Sequence, residues 1–186
     1  MGGMFTHAPS PVGPLLVLFS GDGTPTGIHF PSSAKAPAES AWGEAVELSA
    51  AMKKFPQVAA LVTQLEEYFA GSRREFDVEL GWDGVNGEPG GTGGASEFNL
   101  RVWKLLQEIP YGATVAYGEL AEKLGSKGLA QRVGQAVGSN PFSIVVPCHR
   151  VVGADGSLTG FAGGLERKRF LLALEEPAAG DAGRLF

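Results

Sequence analysis

The chain has 186 residues, 44% apolar and 19% charged, with a formal net charge of −5. That supports one large or two small globular domains with a real core. One cysteine excludes an internal disulfide framework, and His7, His29, His149 and Cys148 lack metal-ligand spacing, which argues against a structural zinc site.

No apolar stretch approaches the length of a membrane span, and residues 1–7 lack the basic start and apolar core of a signal peptide. A cytoplasmic protein without metal or cofactor is expected. The charge is unevenly placed. Residues 1–96 hold 5 basic and 11 acidic side chains, whereas residues 97–186 hold 10 and 9. Within 123–169, Lys123, Lys127, Arg132, Arg150, Arg167, Lys168 and Arg169 stand against only Asp155 and Glu166. Such a cluster suits phosphate contact, although solvated helix faces account equally for each charge taken singly.

In chain order, residues 15–20 read as a short strand, followed by a turn at Gly21-Asp22-Gly23 and a second strand over 27–30. These open an antiparallel sheet. Residues 31–45, rich in Pro, Ser and Ala, read as loop. Val58, Leu61, Val62, Leu65, Tyr68 and Phe69 recur at helical spacing over 56–70, with Pro56 in the first turn and Gly71 at the stop. Residues 76–80 alternate as a half-buried strand does, and His29 is assigned to a strand edge or the surface. Residues 84–95 hold six glycines and a proline, without the spacing of a phosphate-binding loop. A boundary is expected here, with domains at 1–85 and 97–186 joined by a linker at 86–96.

Ser96 caps a helix with Phe98, Val102, Leu105, Leu106 and Ile109 on one face, ended by Pro110-Tyr111-Gly112. Residues 117–124 and 129–138 form two short helices across a glycine-containing turn, a helix-turn-helix pattern. The second carries Gln131, Arg132, Gln135 and Ser139 among Ala130, Gly134, Ala136 and Gly138. Small residues there permit either close approach to a DNA backbone or close helix–helix packing. Asn140-Pro141 turns the chain into 144–152, an apolar, β-branched run that reads as a buried strand broken at Pro147. Cys148 then sits where the strand leaves its sheet. A free cysteine is commonly just a small buried hydrophobe, but the adjacent His149 is what thiolate chemistry requires nearby. Residues 153–156 make a hairpin turn. A last helix over 165–175 places Phe170, Leu171 and Leu174 inward and Arg167, Lys168 and Arg169 near its start. The tail, 177–186, is expected to be poorly ordered.

Ser10-Pro-Val-Gly-Pro-Leu15, Tyr68-Phe69-Ala-Gly, Phe98-Asn-Leu-Arg-Val-Trp-Lys, Ile109-Pro-Tyr-Gly-Ala-Thr and above all the block from Gly138 through Pro147-Cys148-His149-Arg150 to Gly153, followed by Gly160-Phe161-Ala-Gly-Gly-Leu, resemble the O6-alkylguanine-DNA alkyltransferases. The resemblance implies an α/β fold, with an RNase H-like N-terminal domain and a C-terminal winged helix-turn-helix domain. It implies repair of double-stranded DNA by irreversible, single-turnover transfer of an alkyl group from guanine O6, or thymine O4, to Cys148. It further implies a monomer and a relay from Glu175 through His149 and water to Cys148, with Asn140 tying the active-site segment to the helix-turn-helix. A duplex lesion must be rotated out to react. In the family's pattern Tyr117 crowds the phosphate, Phe161 stands where a tyrosine usually faces the flipped guanine, and Val151, Val152 and Val137 line the pocket. Arg150 braces the site. The arginine that usually fills the flipped-base gap is replaced here by Gln131, next to Arg132, about 100° around the helix. The reading adopted is Gln131 inserted and Arg132 on phosphate. A lesion-binding protein without transfer is disfavoured by the presence of Cys148, and a cysteine hydrolase by the helix-turn-helix and the lack of an oxyanion-hole signature.

Overall fold

A computed structural model describes residues 3–33, 36–82 and 96–176. The linker and tail expectations, 86–95 and 177–186, lie outside the described residues. The N-terminal half is built on a four-stranded sheet in the order β3-β2-β1-β4, from β1 (Met4–Ala8), β2 (Leu15–Phe19), β3 (Pro25–His29) and β4 (Glu44–Ala45). β1 to β3 pair antiparallel, and the two residues of β4 pair parallel to β1. Strand β2 is the apolar centre, with Leu15, Leu16, Val17 and Phe19 fully buried. Two helices, α1 (Leu48–Lys54) and α2 (Pro56–Phe69), cover the sheet. Helix α2 starts with Pro56 at its first position, where the missing N–H costs nothing, and buries Val58, Leu61, Val62, Leu65 and Tyr68. Gly71 follows it at φ 76°, a conformation that favours glycine.

The second half contains α3 (Glu97–Gln107), β5 (Val115–Ala116), α4 (Tyr117–Lys123), α5 (Ala130–Gly138), β6 (Val151–Val152) and α6 (Leu165–Glu175). Ser96 caps α3 by accepting from the Asn99 N–H. Helices α4 and α5 form the helix-turn-helix, joined through a 3-10 turn at Lys127–Leu129. Helix α5 packs on α3, where the Trp103 indole N–H donates 2.8 Å to Ala136 O. Ala136 therefore serves helix–helix packing, Gly134 faces the Tyr117 ring, and a Cβ on Gly138 would meet open space. Helix–helix packing thus accounts for Ala136, while Gly138 presents an open surface.

Three expectations fail. Residues 144–152 are no continuous strand: only Val151–Val152 pair, in parallel with Val115–Ala116, and Cys148–Arg150 form a 3-10 turn. Residues 76–80 keep the alternating burial of a strand but join no sheet; Gln64 on α2 bonds the Asp77 backbone at both its N–H and its carbonyl instead. In α6 Phe170 points to solvent, while Lys168 takes the buried position. Short elements β1, β4 and α1 were not anticipated.

The halves are joined by backbone as well as side chains. Ile28 N–H donates to Pro141 O at 2.8 Å, and Ser143 N–H donates to Ile28 O at 3.0 Å. The edge of β3 thus pairs with the segment after Asn140, and Trp82 lies edge-on to Phe142 and stacks on Trp103.

Candidate active site

Four local devices converge on Cys148. The first is Asn140, buried just beyond α5. Its amide nitrogen donates to Val146 O at 2.8 Å and its oxygen accepts from Phe142 N–H at 3.0 Å. Beyond the bridge to Ile28, these bonds stand in for the sheet ladder that an extended 144–147 would need. They also hold Ile144 at φ 74°, a left-handed conformation costly for a β-branched residue. The second is the 3-10 turn, which takes His149 away from the direction of Cys148 because successive residues differ by about 120°. The third is the parallel β5–β6 pairing, which sets Val151 and Val152 beside the element leading into Tyr117. The fourth is α6, which brings in both Lys168 and Glu175.

Glu175 is the electrostatic centre. Its carboxylate accepts from five donors: His149 Nε2 (2.7 Å), Tyr68 Oη (2.7 Å) and Arg150 Nη2 (3.0 Å) at Oε1, and Arg150 Nε (2.8 Å) and Gly112 N–H (3.3 Å) at Oε2. Burial alone would raise the carboxyl pKa, but the His149 and Arg150 hydrogen bonds and charges outweigh it and hold the pKa down at about 2. Since the carboxylate is an acceptor, His149 donates from Nε2 and is left with a bare Nδ1. Nδ1 is buried and has no hydrogen-bond partner among the described residues. Burial lowers the His149 pKa despite Glu175, so the ring is a neutral base. Gly112 is required at its position: it has φ 78°, and a Cβ would lie 2.9 Å from Glu175 O.

Cys148 is 4% exposed. Burial raises its thiol pKa, opposed by the Asn140 amide, the Lys168 charge and the nearby backbone N–H groups of Cys148 and His149. Lys168 is wholly buried, with Nζ donating to Val151 O at 2.5 Å and Thr159 O at 2.8 Å. It joins the wall carrying Val151 to the loop carrying Phe161. Phe161 is half-buried and meets Phe30 of the N-terminal half edge-on at 5.7 Å. The half-buried Tyr117 places its hydroxyl 3.4 Å from both Thr159 O and Gly160 O, and burial raises its phenol pKa.

Cys148, His149, Glu175, Asn140, Val151 and Val152 are thus brought together, with Tyr117 and Phe161 at the rim. Val137 is buried in α5. Gln131 and Arg132 are exposed at the start of α5, away from this cluster, and the Arg132 guanidinium lies 3.9 Å over the Phe98 ring. Two participants escaped sequence reasoning, Lys168 and Tyr68. The basic cluster of 123–169 also changes meaning. Arg150, Arg167 and Lys168 are spent inside the fold on Glu175, Val12 O, Gly163 O, Val151 O and Thr159 O, and Lys127 pairs with Glu122. Lys123, Arg132 and Arg169 keep exposed charge near the helix-turn-helix and α6. Among the described residues no cluster of His, Cys, Asp and Glu could hold a metal ion, and no helix is long and apolar enough to cross a membrane.

Comparison with known proteins accounts for both halves. Residues 4–81 match the ribonuclease-like domain of 6-O-methylguanine DNA methyltransferase, and residues 97–177 match its DNA-binding domain. A methylated-DNA–protein-cysteine methyltransferase of Mycolicibacterium paratuberculosis is 46% identical over 166 residues, 89% of this chain and 88% of that protein. One from Methanosarcina acetivorans is 40% identical over 89% of this chain and 94% of its own length. Among solved structures, Mycobacterium tuberculosis OGT in complex with DNA superposes with a TM-score of 0.75 at 39% identity, over 92% of both chains. The fold is therefore α/β, a ribonuclease-like domain followed by a DNA-binding helix-turn-helix domain, and the chain belongs to the 6-O-methylguanine DNA methyltransferase family.

Proposed function

We propose that the chain repairs O6-alkylguanine, and by the same chemistry O4-alkylthymine, in double-stranded DNA by moving the alkyl group irreversibly to Cys148, once per molecule and as a monomer. The observation that carries this reading is a lone cysteine beside a neutral, buried histidine whose other nitrogen is fixed by a carboxylate, all on a DNA-binding domain. The division into domains at 1–85 and 97–186 belongs to the same proposal.

The thiol needs activation, since a free cysteine has a pKa of about 8.5 and burial raises it here. In the proposed step, His149 Nδ1 takes the thiol proton through a water, and Glu175 stabilises the resulting imidazolium through Nε2–H. The thiolate attacks the alkyl carbon, the S–C bond forms as the C–O6 bond breaks, and the bonding pair returns to the guanine. The proton that left the thiol ends on the guanine, so charge and atoms balance without a cofactor. The thioether has no route back, which makes the protein a reactant.

Reaching the lesion requires the nucleotide to leave the duplex, at a cost of a few kcal/mol. Tyr117, in the first turn of α4, is assigned the role of crowding the phosphate, and Phe161 the face against the extruded base. A phenylalanine keeps that apolar contact and forgoes a hydroxyl contact. Gln131 is assigned to the space left in the stack. Arg132, stacked on Phe98, keeps guanidinium donors for phosphate. Cys148→Ala is expected to bind an O6-methylguanine duplex with close to wild-type affinity in a gel-shift or anisotropy titration and to transfer no methyl group. Residual transfer by this variant would overturn the assignment of the acceptor.

A further inference from the structure

Tyr68 belongs to the ribonuclease-like half, in the last turn of α2, 107 residues before Glu175. Its ring is fully buried, packed against Phe69, Phe76 and Tyr111 with centroids 5.3, 5.5 and 6.1 Å away. Packing alone would be satisfied by phenylalanine. The hydroxyl adds a 2.7 Å hydrogen bond to Glu175 Oε1, the oxygen that also faces His149 Nε2 at 2.7 Å. Burial and the Glu175 charge push the phenol pKa far up, so Tyr68 remains a donor throughout the working pH range.

We propose that Tyr68 is a positioning residue for alkyl transfer: by donating to Glu175 Oε1 it shares the negative charge that otherwise bears on His149, and so keeps His149 neutral with Nδ1 bare. The inference rests on the reading of Cys148 as alkyl acceptor. The other groups facing this pair act differently. Arg150, from the 3-10 turn, supplies a fixed positive charge at Oε1 and Oε2 and also donates to Ile109 O. Lys168, from α6, opposes protonation of His149, and Cys148 neighbours Lys168 on the same side. Tyr111 spends its hydroxyl on Leu174 O, and Arg74 lies over the Tyr111 ring at 5.6 Å. Apart from His149 itself, Tyr68 is thus the one neutral side-chain donor on Glu175 among the described residues, and the ribonuclease-like domain provides it. That domain enters the chemistry through one hydroxyl.

Tyr68→Phe keeps the ring and deletes the bond. A carboxylate that loses a donor holds protons more tightly and stabilises imidazolium more strongly, so the His149 pKa rises. Single-turnover transfer from an O6-methylguanine duplex, followed across pH, should show its acid limb moved up by roughly half to one pH unit in the variant. The His149 ring 15N shifts, titrated without DNA, should move the same way. A limb at the wild-type midpoint, with rates equal or reduced by one factor at every pH, overturns the proposal, as does an unchanged 15N titration. If the wild-type protein transfers nothing, the reading of Cys148 fails, while the 15N titration still decides whether Tyr68 governs His149.

Discussion

Glu175→Ala is expected to lower stability by about 3–5 kcal/mol and to abolish transfer. The carboxylate is 1% exposed and accounts for both the Arg150 ion pair and the His149 contact. Its removal leaves a buried guanidinium whose one remaining hydrogen bond among the described residues is to Ile109 O, beside the Tyr111 ring, an imidazole free to change tautomer, and the Tyr68 hydroxyl and Gly112 N–H without their acceptor. Desolvation of uncompensated groups dominates the cost, which is why it exceeds the worth of any single bond. For a chain of this size the loss corresponds to a fall in Tm on the order of 10 °C. Glu176→Ala, at the exposed neighbouring position, is the matched control and should change little. The sign of the pH dependence follows from the same group. The Glu175 pKa is lowered on folding from 4.5 to about 2. Its contribution to stability is therefore complete above pH 4.5 and lost as pH falls through about 2, an effect of about 3 kcal/mol by linkage. Urea titrations of wild type at pH 6 and pH 3 should show about 2 kcal/mol of that loss, and Glu175→Ala should lack this component.

Lys168→Met is expected to separate electrostatics from packing. The lysine places a cation inside the fold, where burial lowers its own pKa and Cys148 draws it back up. Methionine is similar in length and apolar, so the cavity stays filled while Val151 O and Thr159 O lose their donor. Each buried carbonyl left unsatisfied costs about 1–3 kcal/mol, partly offset by the more favourable burial of methionine. The effect on transfer should be larger. Without the cation, the Cys148 thiol titrates higher, and each pKa unit removes tenfold of the thiolate at pH values below it. A tenfold or greater loss of rate at neutral pH is expected, narrowing as pH rises. A loss by the same factor at every pH would place Lys168 in the scaffold alone, holding the Phe161 loop.

Much of the architecture was legible because local chemistry decided it. Pro56 and Gly71 bracket α2, Ser96 starts α3, and the glycine-containing turn at 125–128 separates α4 from α5. The neighbourhood of Cys148 was legible as a set of residues but not as a shape. The β-branched run at 144–152 has the composition of a strand, yet the Asn140 amide satisfies Val146 O and Phe142 N–H and leaves the segment as turns. In α6 a hydrophobic pattern favours Phe170 inward, whereas the free carbonyls of Val151 and Thr159 call for a donor, and Lys168 occupies that side. Two-residue strands such as β4, β5 and β6 are too short to carry a periodic signal. Tyr68 reads as an ordinary core residue at helical spacing, because its hydroxyl partner is 107 residues away.

The assignment of Cys148 as a consumed acceptor is tested most directly by mass. The protein, incubated with an excess of O6-methylguanine duplex and then digested, should carry one methyl group, on the peptide holding Cys148, with one lesion repaired per molecule and the remainder untouched. Repair of more than one lesion per molecule, or an unmodified Cys148 after repair, would contradict it.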